Sequence, residues 1–492
     1  MESLSLNLAL YSPEIILSIT LGFVLIVQMI SQSRLFTFLT ALVGLMVSAG
    51  ATLAIKSFSP QFFFANQLSH DPFSLFFKLF FIIATFFTFL FSYRSYEIDE
   101  ERGAEFYLLT LAVTIGMCTL VASINLLTLY LSLELVSIVS YALAGFRKEH
   151  PASNEAAIKY LLYGAFASGT MLWGLSLLYG FTGSLNIYSI NATLSTASLN
   201  PLALYSMVLM VLFGFGFKIT SVPFHMWAPD VYHGAPTPTA AFFTVAPKAA
   251  GFAIFIRFFY SVFANNSGLP DQWITLPHVD WAFLMAILSA VTMTLGNLSA
   301  LWQKNAKRML AYSSIAHAGY MLMGFIVLSK EGLVSILFYL VVYFFMNFGA
   351  FFVVGLLANK TKNEDISGFK GLGWTSPLVA FSMAVFLFSL TGIPPFAGFI
   401  GKVYLFSALV QKEIYWLLVV AILNTVISLY YYTYIVREMF LVKPVNSDKA
   451  LVLSPLHVFT LILLVIPTFI FGLYWEPLFK YVSNSLQFIV IP

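Results

Sequence analysis

Two stretches decide how this chain folds: VLMVLFGFGFKITSVPFH (208–225) and FSLTGIPPFAGFIGKVYLF (388–406). Each is apolar enough to lie in a lipid bilayer, and each carries a lysine, Lys218 in the first and Lys402 in the second. Each also carries proline close by: Pro223 follows Lys218, whereas Pro394 and Pro395 precede Lys402. An ammonium at mid-membrane costs about 2.5–3.5 kcal/mol on insertion scales. A helix interrupted at membrane depth is tolerated only inside protein or beside water. A chain that carries both features twice reads as a pathway for protons or ions.

The rest of the chain agrees. Of 492 residues, 60% are hydrophobic and 9% charged, and the mean hydropathy is +0.89. These values exclude a set of soluble domains and indicate a polytopic membrane protein. The net charge of +3 says little about partners beyond the lipid bilayer, and no nucleic-acid partner is expected. A single cysteine, Cys118, excludes a disulfide framework or a cysteine metal site within the chain. The N-terminus MESLSLNLALYSPE lacks a basic n-region, so no cleavable signal is expected.

Runs near the length of a membrane span lie at about 11–30, 35–55, 73–94, 105–123, 124–146, 157–180, 203–222, 239–263, 280–303, 306–329, 331–358, 375–409, 413–437 and 452–473. The expected fold is therefore an all-α polytopic membrane protein of about fourteen spans. The stretch 223–238, with four prolines and two histidines, reads as a half-helix and loop completing span seven. Span twelve contains the break at Pro394–Pro395. Lysine and arginine set the orientation. With the N-terminus outside, 14 of the 24 cations fall in inside loops, four outside (Lys56, Lys330, Lys412, Lys480) and six within spans. That bias favours both termini on the outer side.

The six within spans are Lys78, Lys159, Lys218, Lys248, Arg257 and Lys402. Lys248 stands about three turns into span eight, next to Pro247, which removes a backbone donor. Glu134 lies near the middle of INLLTLYLSLELVSIVSYALAGF (124–146) with no other charge within ten residues. A central carboxylate needs a partner or a proton. Arg257, nearer the outer end, reads as a side chain that snorkels to the interface. Lys78 and Glu105, near span ends, read as interfacial, although Glu105 could face the bundle. Glu155 and Lys159 open span six four residues apart; they read equally as a surface pair or as guards of a proton route. His225 and His233 flank Asp230 without metal-ligand spacing, so a zinc site is not expected and a proton-carrying role fits better. His317, inside a span, would suit that role too, or a hydrogen-bonded helix interface.

The charges repeat. Glu134 and His317 are 183 residues apart, and Lys218 and Lys402 are 184 apart. Spans four to eight (105–263) and nine to thirteen (280–437) thus form two five-helix units with discontinuous helices 7 and 12. They are flanked by a three-helix segment (1–104) and a C-terminal helix and tail (438–492). Because five is odd, the units enter the membrane from opposite sides, the inverted-repeat pattern of ion-coupled transporters.

Three motifs, FKITSVPFHMWAPDVYHGAPTPTAAF (217–242), KRMLAYSSIAHAGYML (307–322) and SLTGIPPFAGFIGKVYLF (389–406), resemble the antiporter-like membrane subunits of complex I, the proton-pumping NADH:quinone oxidoreductase. The WAPDVYHGAPTP and LTGIPPFAGFIGK forms are most similar to the subunit N branch. The resemblance covers spans four to thirteen. It implies a proton channel without cofactors of its own, with NADH, FMN, iron–sulfur clusters and quinone bound by partner subunits. It implies neighbours K and M, with A, H, J and L in the same arm; the N-terminus lacks an organelle transit pattern, so a bacterial inner membrane is expected. Motif by motif, Glu134 is similar to the family's helix-five glutamate, Lys218 to its helix-seven lysine, Lys248 to its connecting lysine and Lys402 to its terminal lysine. His317 falls between the half-channels. The implied mechanism is a switch: a carboxylate close to a buried lysine makes it hold a proton, and withdrawal releases it. The alternatives are a subunit of a multisubunit cation/proton antiporter, the arm of a membrane-bound hydrogenase or ferredoxin-driven dehydrogenase, and a structural scaffold.

Overall fold

The computed structural model describes residues 2–196, 200–277, 279–444 and 450–486. Lys449, counted above among the inside cations, lies outside them.

After a short helix α1 (Glu2–Leu10) come three apolar helices, α2 (Ser12–Ser31), α3 (Arg34–Ala54) and α4 (Pro72–Ser92). The first five-span unit consists of α5 (Gly103–Ala122), α6 (Leu126–Ala144), α7 (Pro151–Thr182), a span split into α9 (Pro201–Ile219) and α10 (Ala228–Gly234), and α11 (Thr237–Val262); α8 (Ile187–Thr196) lies between α7 and α9. The second consists of α12 (Trp281–Ala300), α13 (Ala306–Ile326), α14 (Lys330–Thr361), a span split into α16 (Pro377–Thr391) and α17 (Ala397–Gln411), and α18 (Tyr415–Phe440); the single turn α15 (Leu372–Thr375) precedes α16. α19 (Pro455–Leu473) and α20 (Glu476–Asn484) follow. Among the described residues thirteen helices are long and apolar enough to cross a membrane; α16 and α17, each shorter, together supply the span between α14 and α18. Two antiparallel hairpins, β1 (Gln61–Phe63) with β2 (Leu68–His70) and β3 (Ala264–Asn266) with β4 (Trp273–Thr275), were not anticipated.

Local chemistry explains where the helices begin. Asn125, Asn200 and Asn305 accept from the backbone amides of Leu127, Leu202 and Arg308, satisfying donors that the first turn leaves free. Asp71 and Ser74 form a reciprocal capping box at the start of α4.

The two interruptions have different anchors. After α9, Thr220 turns left-handed and the Val222 amide donates to Thr292 Oγ1 of α12 at 3.0 Å. After α16, Gly392 takes φ +90°, a conformation a side chain resists, and the Gly398 amide at the start of α17 donates to Ser389 Oγ at 3.0 Å. Backbone groups freed at both breaks thus find partners inside the protein, as the bilayer interior requires.

α11 is buried along its whole length, and α13 and α14 nearly so. A helix apolar on all sides belongs at the centre of the bundle. α12 and α13 approach closely: a Cβ on Gly296 would lie 2.6 Å from the Ala316 amide, and one on Gly319 2.6 Å from that of Met293. α2, α18 and α19 keep broad apolar faces exposed.

Candidate proton-relay site

Both lysines of the opening motifs are placed by the C-terminal end of a half-helix, one within it and one reaching to it. Lys218 is the last-turn cation of α9. Lys402, on α17, reaches back across the break and donates to the carbonyl oxygen of Thr391, the final residue of α16, at 2.8 Å. Terminal helix carbonyls lack intrahelical partners and carry partial negative charge. Breaking a helix therefore creates, inside the membrane, a place where an ammonium can stay.

The two environments differ. Lys218 is buried, and among the described residues no group hydrogen-bonds its ammonium. Its nearest cation–π neighbour is the Phe217 ring, 5.6 Å away. Glu134, on α6, is the acidic group whose charge acts on Lys218, yet no ion pair joins them among the described residues. Glu134 Oε1 is itself buried without a hydrogen bond. The expected switching partner is thus present and disengaged. Among the described residues Lys402 has only neutral oxygens, Thr391 O and Thr425 Oγ1 at 3.4 Å, and it lies 4.6 Å from the centre of the Tyr320 ring.

Between them lies a series of polar groups, hydrogen-bonded from Lys248 to His317 by way of α13 and in van der Waals contact at either end. Lys218 packs on α11 at Gly251, where an added Cβ would meet its own Cβ at 3.1 Å. One turn away on α11, Lys248 donates across to α13, to Ser314 O at 2.7 Å and Ser314 Oγ at 3.0 Å. Three residues along α13, His317 has Nδ1 2.7 Å from the Tyr339 hydroxyl and Nε2 3.2 Å from the Tyr432 hydroxyl. Tyr432 also bonds Ser313. Tyr339 lies against Gly401, beside Lys402, and the Tyr320 ring is 5.7 Å from that of His317. Tyr320 accepts from Asn297 at 3.3 Å and Thr425 at 3.4 Å. Hydroxyl groups both donate and accept, so this arrangement can pass a proton from one carrier to the next. Sequence reasoning found the charged and imidazole members. It missed Ser313, Ser314, Tyr320, Tyr339, Tyr432 and Thr425, although SSIAH, with two serines one turn before His317, was a readable signal.

The secondary candidates separate from this line. Lys159 pairs with Glu155 and Asp230, each at 2.6 Å, and Asp230 also pairs with Arg308 at 2.6 Å. These groups are partly exposed, so the surface pair extends into a network linking α7, α10 and α13. Glu105 is exposed on α5 and does not face the bundle. His225 is buried in the first break with Nδ1 unpartnered. His233 lies 3.7 Å from Glu364. Among the described residues no cluster of three His, Cys, Asp or Glu could hold a metal.

Three sequence expectations need correction. Lys78 is not interfacial: it is fully buried and pairs with Glu14 at 2.7 Å. Arg257 does not snorkel: it is buried against Asp71 at 2.8 Å. Lys307, counted as a loop cation, is 1% exposed and held by Glu364 at 2.8 Å, Ala235 O at 2.9 Å and Glu97 at 3.8 Å. Each partner comes from a distant part of the chain, and burying either charge alone would be strongly unfavourable. Glu97, also unanticipated, accepts from the Thr237 amide at 2.7 Å and pairs with Arg147 at 3.2 Å, fixing the start of α11.

The class defined by this fold and site is an antiporter-like membrane subunit. Residues 123–428 match the family described as NADH:quinone oxidoreductase/Mrp antiporter, TM. NADH-quinone oxidoreductase subunit N 2 of Chloroherpeton thalassium is 42% identical over 97% of this chain and 94% of its own length. A chain of respiratory complex I from Thermus thermophilus superposes with a TM-score of 0.80 at 29% identity, covering 96% of this chain and 99% of that one. A chain of the Mrp complex from Dietzia sp. shares the fold, with a TM-score of 0.82 at 19% identity over 97% of each chain. The chain belongs to the subunit N family of NADH-quinone oxidoreductases.

Proposed function

We propose that this chain is a proton-translocating subunit in the membrane arm of a complex I, and that protons pass along Glu134, Lys218, Lys248, His317 and Lys402. The observation that carries the relay is the contact between Lys248 and Ser314, which ties the first unit to the helix of His317 in the second. Movement of Glu134 toward Lys218 holds a proton there, and its withdrawal frees the proton toward Lys248, one turn from the Gly251 contact. The proton crosses through the hydroxyl groups around His317 and reaches Lys402, which has no carboxylate to retain it. A cleft of about 590 Å³ lined by His150, His233, Arg147 and Glu364 is a suitable intake. We divide the chain into segments 1–104, 105–263, 280–437 and 438–492, the middle two being half-channels.

Redox chemistry belongs to partner subunits that bind NADH, FMN, iron–sulfur clusters and quinone. The expected neighbours are K and M, in a bacterial inner membrane with both termini outside. The gathering of Arg147, Lys362 and Arg308 near one end of the bundle supports that orientation. A cation/proton antiporter subunit is the second reading, favoured by the shared fold alone. The deciding experiment is Lys218→Met in the assembled enzyme. Loss of both proton pumping and NADH oxidation is expected, and unimpaired pumping overturns the relay.

A further inference from the structure

Two carboxamides lie beside the Lys402 end of the proposed relay. Asn297, on α12, and Asn424, on α18, are 0% and 2% exposed. Asn424 Nδ2 donates to the Val420 carbonyl oxygen at 3.0 Å and to Thr294 Oγ1 at 2.9 Å. A backbone carbonyl only accepts, so the Asn424 amide has one orientation, with Oδ1 toward Asn297. That oxygen only accepts as well, and it fixes Asn297 in turn. Asn297 Nδ2 donates to Asn424 Oδ1 at 3.1 Å and to the Tyr320 hydroxyl at 3.3 Å, which leaves Oδ1 to accept from the Tyr431 hydroxyl at 2.9 Å. One backbone carbonyl thus sets the direction of every bond around Asn297. Side chains serving only to hold α12 against α18 would do nearly as well as apolar groups of the same shape.

Asn297 stands between a proton carrier and a cavity. On one side, Thr425 Oγ1 donates to the Tyr320 hydroxyl at 3.4 Å and accepts from the Lys402 ammonium at 3.4 Å. On the other, Tyr431 borders a cavity of about 500 Å³ with Leu301, Gln303, Lys304, Asp365 and Ser367. Lys304 and Ser367 are exposed, so the cavity opens at the end of the bundle where α12 turns into α13. The cleft proposed as the intake lies at the same end, since Asp365 lines both. Tyr431, Tyr320 and Thr425 carry hydroxyls, which both give and take a proton. Asn297 does neither: its nitrogen has no lone pair that takes a proton, and its oxygen has no proton to give. Tyr431 has a second neighbour in Tyr432, whose ring centre is 4.4 Å away and whose hydroxyl meets His317. By accepting the Tyr431 proton, Asn297 Oδ1 keeps it from that branch as well.

We infer that Asn297 is a proton barrier, a fixed amide set between hydroxyls that keeps the cavity beside Tyr431 from exchanging protons with Lys402 and His317. The inference rests on the reading of Lys402 as the terminal carrier of the relay. A hydroxyl or carboxyl at position 297 would complete a chain from the cavity through Tyr431, Tyr320 and Thr425 to Lys402. Protons would then reach the terminal carrier without passing Lys218 and Lys248, or return from it to the side they came from. The amide blocks both, and Asn424 holds it in the one orientation that does so.

The test uses the assembled holoenzyme in sealed vesicles without NADH, with passive proton flux after an imposed pH step read from a dye inside. Asn297→Asp supplies, at nearly the same volume, a group that takes and gives a proton. Its leak should exceed that of the unaltered enzyme at least about tenfold, since a positioned proton carrier contributes that much or more. Asn297→Ser supplies a neutral hydroxyl, should leak too, and serves if the aspartate variant does not assemble. Tyr431→Phe breaks the same bond to Asn297 without adding a carrier and should stay tight. Added to Asn297→Asp, it should return the leak to the unaltered level. A merely structural bond gives a different order, with Tyr431→Phe leaking as much as the Asn297 variants. That order, or no added leak in an assembled Asn297 variant, overturns the barrier. A leak that persists in Asn297→Asp/Tyr431→Phe overturns the route through Tyr431. The readout needs no pumping, so it stands apart from the relay: unimpaired pumping in Lys402→Met overturns the terminal carrier and leaves the leak result in force.

Discussion

The Lys248 ammonium, on the fully buried helix α11, donates to both the carbonyl and the hydroxyl oxygen of Ser314 on α13. This contact is the seam between the two halves of the proposed relay. Ser314→Ala removes one acceptor and keeps the other, a loss of about 1 kcal/mol and so roughly a fivefold slower turnover. Lys248→Met removes the carrier, and a drop of about a hundredfold or more is expected. NADH:quinone activity of the two assembled variants checks the order; equal losses would contradict the roles given to the two residues.

Replacing Lys218 with arginine distinguishes a carrier from a fixed charge. Arginine keeps the positive charge at the end of α9 but does not release a proton. Lys218→Arg should therefore assemble normally and fail to pump. Acidification measured in vesicles at matched protein levels checks this, and pumping restored by arginine would make Lys218 a structural cation.

His317 is held between two tyrosine hydroxyls, so Tyr339→Phe and Tyr432→Phe should not act independently. Each single change should slow pumping about tenfold, and the double change should match His317→Ala rather than the product of the singles. Groups in one hydrogen-bond network couple by about 0.5–3 kcal/mol. Initial rates of proton release across the four variants give that coupling directly, and multiplicative losses would place the tyrosines on separate routes.

Glu97 makes a different prediction, because it touches no relay residue. It accepts from the Thr237 amide and pairs with Arg147, with Lys307 nearby. Glu97→Gln should lower stability by about 1.5–3 kcal/mol, the range for hydrogen bonds to charged groups. The change should be visible as a lower thermal dissociation temperature of the complex. Activity per assembled enzyme should change little, and a specific pumping defect at normal stability would place Glu97 in the proton route.

Much of the fold was legible because lipid is a demanding solvent. A bilayer forces long apolar runs and allows irregular backbone only where protein shelters it, so span positions and the two breaks showed in composition and proline alone. Lys218, Lys248, His317 and Lys402 were legible for the same reason: a polar group in an apolar run stands out. The tyrosine, serine and threonine members were not, since such residues occur on any helix and only their neighbours give them a part. Lys78, Arg257 and Lys307 were misread because a cation near a span end is equally compatible with the interface and with a buried partner.

The sequence by itself determined that this chain has about fourteen apolar runs long enough to cross a membrane and breaks two of them beside a lysine. Periodicity and hydropathy are local properties, and the sequence carries them whole. Only the tertiary structure decided who meets whom. It set Lys248 on Ser314, Lys402 on Thr391, Lys78 on Glu14 and Arg257 on Asp71. It left Glu134 Oε1 and the Lys218 ammonium each buried without a hydrogen bond among the described residues. Pairing depends on how helices far apart in sequence pack, and a charge is stabilised or switched by its neighbours in space, whatever its neighbours in the chain.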